Sequence, residues 1–525
     1  TGMQIVRGDN RDKSGINGDF LCIKGRYAFD FAHHDDRLRQ PLIKRDGKFV
    51  PVTWEQALEH IANNFRDVLS TAGATAIGVI GSNRTSNEES YLLQKFARLV
   101  LGTNNIDHHR TADFPAFASA LAAKAGTTAS MRDVAAAPAI LLIGNNPTDQ
   151  HPLLAWQIRS NVRLHRAKLY IANSYPIKLR RQAIGFAQIA PGSEGSFVQY
   201  LAGNDGTADA AVSTQLSREA LGEFRDRLKA ESGLVIIFGS ELRGNDVKML
   251  VDFGLGLGAK FIALGDYANS RGAADMGLYP DMLPGYAPVA SATRFHQEWL
   301  DEIPTEPGLN LLQMVDAAKD GKLKALYVVG SNPVARYNID PFALSKTFVV
   351  VQDMFLTETA AVADVVLPVA NAYEKAGTFT NTCGDLQVLK KAGEFVGVRT
   401  DFECIVRIAG KIGYDLHTLV PFGGEGTHAD MGQSRGVQSG ESDRHAVWLA
   451  AHNLEPKMSP FDPTAMLDEI QRLVPGYDIS RLSLLAGQDI HTQLVQITGT
   501  TGLGHPELVL PANDTLFTSG TLGQY

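Results

Sequence analysis

Cysteine is scarce in this chain: three in 525 residues, at Cys22, Cys383 and Cys404. So few excludes a disulfide framework and suits a reducing compartment, with cytoplasm as the default. A basic excess is lacking too. Lys and Arg number 49 against 57 Asp and Glu, a formal net charge of -8, so bulk charge gives no reason to expect nucleic acid as a partner. The Lys390-Lys391 step reads as a solvated charge run. No stretch approaches the roughly 18 uninterrupted apolar residues of a membrane span, which argues against direct membrane insertion. Thr1-Gly2-Met3 is followed by polar sequence rather than a signal-peptide core. The chain opens without an initiator methionine, and the expectation is that upstream sequence is missing.

Length and a 44% hydrophobic composition are present, enough for two to four packed domains. Residues 53 to 73 read as a helix. Thr53 and Gln56 form a capping box, Leu58, Ile61, Phe65, Val68 and Leu69 make one apolar face, and Gly73 stops it. The apolar run 76–80 follows, then a second capped helix from Ser86 and Glu89 to Gly102. Further continuous apolar runs at 139–143, 169–172, 235–238, 261–264, 326–329 and 348–351 alternate with helical stretches. Such runs predict parallel strands covered on both faces: an α/β fold of several parallel sheets flanked by helices. Residues 422–445, rich in Gly, Ser and charge, read as a linker.

One pattern repeats. Gly144-Asn145-Asn146-Pro147 and Gly330-Ser331-Asn332-Pro333 each follow a buried strand, and Gly81-Ser82-Asn83 ends its own strand in the same way. Strand carboxyl ends are where open α/β sheets hold ligands, on backbone amides and helix starts. A lone Gly-Asn-Pro is more often only a tight turn; two near-identical copies favour binding, at Gly144, Asn146, Gly330 and Asn332. Gly254, Gly256 and Ala259 precede a strand instead of following one, so they read as a helix end and not as a dinucleotide fingerprint.

Leu21-Cys22-Ile23-Lys24-Gly25-Arg26, Asp36-Arg37-Leu38-Arg39-Gln40-Pro41, Thr53-Trp54-Glu55-Gln56-Ala57, the Gly144 turn and Gly377-Thr378-Phe379-Thr380-Asn381 together resemble, in order, the molybdopterin oxidoreductase superfamily. Ala268-Asn269-Ser270-Arg271-Gly272, with Leu283-Pro284-Gly285-Tyr286, is similar to the G subunit, the large iron-sulfur component of the proton-pumping NADH:quinone oxidoreductase, respiratory complex I. The resemblance implies that Cys22 is the fourth ligand of a [4Fe-4S] cluster whose other cysteines lie upstream, and that Lys24 stands between cluster and pterin. Read without the motif, Cys22 is a small buried thiol and Lys24 a surface lysine.

Departures from the family pattern matter equally. Where formate dehydrogenase-like members carry a metal-binding cysteine or selenocysteine followed by histidine, this chain has Ala112 and Asp113. Alanine offers no donor; Asp113 carries oxygens but is displaced by one position, and His108 and His109 are nearby. Cys383-Gly384-Asp385 replaces Glu-Gly-Arg and removes an expected contact to an anionic pterin. After the shared region, little remains to match the barrel-like domain that closes over the second pterin, so the C-terminal region is expected to be truncated and the pocket incompletely covered.

The resemblance therefore implies a structural and electron-transfer subunit with a molybdopterin-type fold lacking a molybdenum ligand. Its turn sites are expected to be vestigial and molybdopterin absent. Its expected partners are the other hydrophilic-arm subunits of complex I, placing it peripherally on the inner face of a bacterial plasma membrane. The alternative is an active molybdenum or tungsten bis-pterin oxidoreductase of the formate dehydrogenase type; a plain nucleotide-binding or interaction domain is a third reading. The expected organisation is a cluster-domain remnant at 1–45, a discontinuous α/β domain at 46–135 plus 341–410, an inserted Rossmann-like domain at 136–340, and a C-terminal region at 411–525. Cys383 and Cys404 are expected to be buried structural thiols.

Overall fold

The computed structural model describes residues 5–9, 20–122, 124, 127–211, 216–299, 301–394, 396–416, 463, 466–477, 490–492 and 505–510. The 422–445 stretch lies outside them.

Two parallel sheets dominate. The larger has seven strands, in the order Lys48–Pro51, Leu42–Arg45, Val365–Pro368, Phe348–Asp353, Ala325–Val329, Ile77–Gly81 and Ile106–His108. Its central strands are parallel, with Ala325 opposite Phe348 on one side and Ile77 on the other. The hairpin of residues 42–51 joins one edge antiparallel. The smaller sheet has five parallel strands, in the order Gly185–Gln188, Lys168–Asn173, Ala139–Ile143, Leu234–Phe238 and Lys260–Ala263. Both central strands of the smaller sheet are buried along their whole length, as continuous apolar runs covered on both faces require. This is the α/β architecture the strand pattern predicts. The Ala325–Val329 strand, within the 136–340 stretch, pairs into the seven-stranded sheet, as does Leu42–Arg45 from the 1–45 stretch.

Helix Trp54–Thr71 packs its apolar face on the larger sheet, and both halves of its Thr53–Gln56 capping box form. The second expected helix also begins with a complete capping box, Ser86 with Glu89, but its regular part ends at Lys95 and a wider turn covers Phe96–Val100. The family-like stretch after Ala268 crosses between the sheets. Leu278 and Leu283 enter the core of the larger sheet, while Tyr279, Met282 and Tyr286 enter that of the smaller. Two antiparallel sheets complete the described structure, a two-stranded one of Met282–Leu283 with Ala287–Pro288 and a three-stranded one of Gly377–Thr380, Asp385–Leu389 and Ile490–His491. No described helix is long and apolar enough to cross a membrane.

Candidate functional site

Each parallel sheet has one place where the chain reverses its direction of winding, and the repeated glycine turns sit there. In the smaller sheet, Ala139–Ile143 leads to strands on one side and Leu234–Phe238 to a strand on the other, opening a crevice at their carboxyl ends. Gly144 and Asn145 turn there with φ of 61° and 48°, in the left-handed region. A Cβ on Gly144 would lie 2.8 Å from the Glu241 carboxyl carbon, so glycine lets that carboxylate approach the backbone. Glu241 Oε1 accepts from Asn145 N at 2.8 Å, and Asn173 Nδ2 donates to the carbonyls of Gly144 and Asn145.

Asn146 is partly engaged, its N donating to Gln150 Oε1 and its Nδ2 to Asp149 Oδ2, but other polar atoms around this turn lack partners. Asn145 Oδ1 and Nδ2, Asn146 Oδ1, Glu241 Oε2 and His151 Nε2 are buried with no hydrogen bond among the described residues. Burial pushes the Glu241 carboxyl up and the His151 imidazole down to about 4. Unmet buried donors and acceptors are costly, and a bound polar heterocycle would satisfy them. These residues therefore fit a pterin or nucleotide edge.

In the larger sheet the reversal lies between Ile77–Gly81 and Ala325–Val329. Here the groups are largely occupied. Ser82 Oγ donates to Gly330 O at 2.6 Å. Asn332 Nδ2 donates to Glu358 Oε2 at 2.6 Å, while its Oδ1 accepts from Thr359 N and Oγ1. Asn83 Nδ2 donates to His109 O, leaving its Oδ1 unpartnered among the described residues. The two matching sequence turns thus differ in what they leave available.

His108 and His109 lie alongside this second crevice, buried and hydrogen-bonded. His108 Nδ1 lies 2.7 Å from Leu278 O and must donate to it; burial pushes this ring down to about 4. Arg336 Nε donates to His109 Nε2 at 3.0 Å, which leaves His109 Nδ1 to donate to the Tyr337 hydroxyl at 3.1 Å. Burial, reinforced by the Arg336 charge, holds His109 well below its ordinary value and neutral.

Four residues on, the metal-ligand position of the formate dehydrogenase-like pattern is closed. Ala112 is buried in the apolar cluster that contains Phe114, Phe117 and Tyr279. Asp113 Oδ1 accepts from Ala116 N at 3.0 Å, capping helix Phe114–Ala120, and its Oδ2 accepts from Gly244 N at 2.7 Å. Both carboxylate oxygens are committed to backbone amides, and burial raises the group's pKa. These residues do not fit a directly ligated metal. Residues 505–510 lie across the neighbouring Arg110, whose carbonyl accepts from Leu510 N at 3.1 Å.

Cys22 is a half-buried free thiol at the start of the short helix Ile23–Tyr27, and Lys24 is half-buried on that helix. Among the described residues, no group of three His, Cys, Asp or Glu is placed to hold a metal ion. Cys383 and Cys404 are buried, and burial pushes both thiols far up, out of reactive range. Sequence reasoning missed Glu241, Arg336 and Tyr337. Glu241 had a signal: Gly239-Ser240 ends its strand as Gly81-Ser82 ends another.

Two open α/β sheets, each with a glycine turn at its crevice, define a doubly-wound α/β class of protein, in which strand carboxyl ends are the usual place for a ligand. The chain belongs to the molybdopterin oxidoreductase family, whose profile matches residues 37–411. It is 33% identical over 411 residues to the G 2 subunit of NADH-quinone oxidoreductase from Rhizobium meliloti, covering 72% of this chain and 48% of that protein. It is 32% identical over 448 residues to the F420-dependent formate dehydrogenase subunit alpha of Methanocaldococcus jannaschii, covering 76% and 65%. The chain thus spans about half to two thirds of the length of these relatives. Acetylene hydratase from Pelobacter acetylenicus shares the fold with a TM-score of 0.57 at 16% identity, covering 75% of this chain and 64% of that one.

Proposed function

We propose that this chain is the molybdopterin-fold part of the G subunit, a structural and electron-transfer component of NADH:quinone oxidoreductase without metal chemistry of its own. The observation that carries this reading is the closed position at Ala112 and Asp113, where one side chain has no donor and the other spends both oxygens on amides. The 33% identity to a relative of that name supports it. In this reading Cys22 is one thiolate ligand of a [4Fe-4S] cluster, which would relay electrons. The other hydrophilic-arm subunits are the partners, holding the chain at the inner face of the plasma membrane.

A second reading, an active molybdenum or tungsten bis-pterin oxidoreductase of formate dehydrogenase type, draws on the unpartnered polar atoms around Gly144 and Glu241. Both readings allow a pterin there; they differ over the metal. Elemental analysis of the full-length native protein for molybdenum, tungsten and iron, with pterin release on the same sample, separates them. Iron without molybdenum or tungsten is the expected result. Stoichiometric molybdenum or tungsten overturns the complex I reading.

A further inference from the structure

Between residues 150 and 193 the chain carries seven Lys and Arg and no Asp or Glu, although acidic residues predominate overall, 57 to 49. The fold gathers this stretch on one side of the five-stranded sheet. Helix Pro152–His165 and the turn Lys178–Gln182 pack on one apolar cluster through Leu154, Ile158, Ile177 and Leu179. Ile184 N donates to Leu169 O at 2.9 Å, bringing the end of that turn beside the segment that follows the helix.

Two of the cations are neutralised within the chain, Lys168 by Glu231 and Lys178 by Asp149. Arg163, Arg166, Arg180 and Arg181 are exposed and make no ion pair with any described residue. Beside them stand Leu164, 70% exposed, and Ile184, 52% exposed, which the Ile184–Leu169 bond brings to the same end of the strand. Solvated charge runs do not ordinarily carry large apolar side chains at such exposure. Arginine is enriched at protein interfaces, and exposed aliphatic side chains beside it supply apolar area for a partner to cover.

We propose that this face docks an acidic protein surface, a separate partner chain whose Asp and Glu side chains surround an apolar patch. Charge complementarity selects the partner: four guanidiniums without an ion pair among the described residues, Arg180 resting its face on the Phe186 ring, call for carboxylates, and their planar donors suit bidentate pairing. A nucleic acid would meet the same guanidiniums, but it would leave Leu164 and Ile184 without an apolar counterpart and would be repelled by the net negative charge elsewhere. The inference rests on the surface alone and survives failure of the complex I reading, since a metal enzyme could dock the same partner.

The test uses the full-length protein in its native assembly. An Arg181→Lys variant keeps the charge and supplies an unpaired amine, which a carbodiimide couples to any carboxylate in contact; mass spectrometry maps the links. Expected are links from position 181 to Asp or Glu of a stoichiometric partner chain, and binding weakened about tenfold or more between roughly 50 and 300 mM salt. The reversal R163E/R180E/R181E is expected to weaken binding at least about tenfold, whereas R180K/R181K retains it. Neutralising R180Q/R181Q, with melting checked against wild type, covers the case in which the reversal unfolds. Partner retention at unchanged affinity in a folded reversal or neutral variant overturns the proposal, as does a partner linked only elsewhere. Tight, arginine-dependent binding of a fluorescent oligonucleotide of about 30 nucleotides would reassign the face to nucleic acid and overturn it too.

Discussion

At the scale of single residues, this family member places titratable groups inside its core and satisfies most of them locally. Glu88 is fully buried; its Oε2 accepts from Thr378 N at 2.8 Å and its Oε1 from Thr378 Oγ1 at 2.7 Å. Burial outweighs those bonds and raises its pKa from 4.5 to about 7. The native state therefore holds this proton more tightly than the unfolded chain does. The contribution to stability is complete below the unfolded value near 4.5 and is lost as pH rises through about 7, a difference on the order of 3 kcal/mol at most. Asp353, raised to about 6 by burial, works in the same direction over a lower window. Buried, neutral His108, His109 and His151 act in the opposite direction below about pH 6.5, so the readout is the difference between wild type and variant: from pH 5 to 8 the urea midpoint of Glu88→Gln is expected to differ in slope from wild type by roughly one proton's share, the downward part that Glu88 supplies. An unchanged slope in the variant would mean that Glu88 is ionised in the folded protein at neutral pH.

At the scale of elements, backbone geometry decides where substitutions matter. Gly277 sits at φ 79°, and a Cβ there would lie 2.4 Å from Pro284 N and 2.7 Å from Leu283 C, both rigid backbone. Gly47 has a similar φ of 75° in its hairpin turn, yet an added Cβ would meet nothing within 4 Å. Gly47→Ala should cost about 1–2 kcal/mol, the left-handed penalty alone, and Gly277→Ala several kcal/mol more. Equal losses in chemical denaturation would refute the steric account. The same contrast explains what was legible in the sequence. Buried parallel strands such as Ala139–Ile143 announce themselves as uninterrupted apolar runs, and Thr53 and Ser86 mark helix starts through capping chemistry. Edge strands do not: Ile106–His108 is three residues with two polar members, and Gly185–Gln188 mixes small and polar side chains. The Leu42–Pro51 hairpin had an Asp46-Gly47 turn signal that the pattern of apolar runs overlooked. The glycine turns were readable as a repeated motif, but Asn332 is consumed by Glu358 and Thr359 while Asn146 Oδ1 is not, and no local sequence encodes that difference. It depends on which helix the fold brings beside each turn.

At the scale of the whole molecule, the crossing segment after Ala268 and one buried arginine are prominent among the ties between the two sheets. Arg98, fully buried on the larger-sheet side, donates to the carbonyls of Gly277, Tyr279 and Met282 in the crossing segment and to Gln94 and Asn104 on its own side. Burial lowers its pKa to about 9, so at neutral pH it remains a cation held by oxygen acceptors. Leu278 and Tyr279, adjacent in sequence, insert into different cores, so the segment cannot detach from one sheet without disturbing the other. The two sheets are therefore expected to unfold as one cooperative unit. Arg98→Met fills similar volume but strands three carbonyls, with an expected loss of about 3–5 kcal/mol. Calorimetry is then expected to resolve the single endotherm of these sheets into two, because each retains its own apolar core while the tie between them is weakened. If Arg98→Met melts at a lower temperature but still in one transition, the apolar interlock at Leu278, Tyr279 and Met282 suffices for cooperativity, and the arginine serves only local stability.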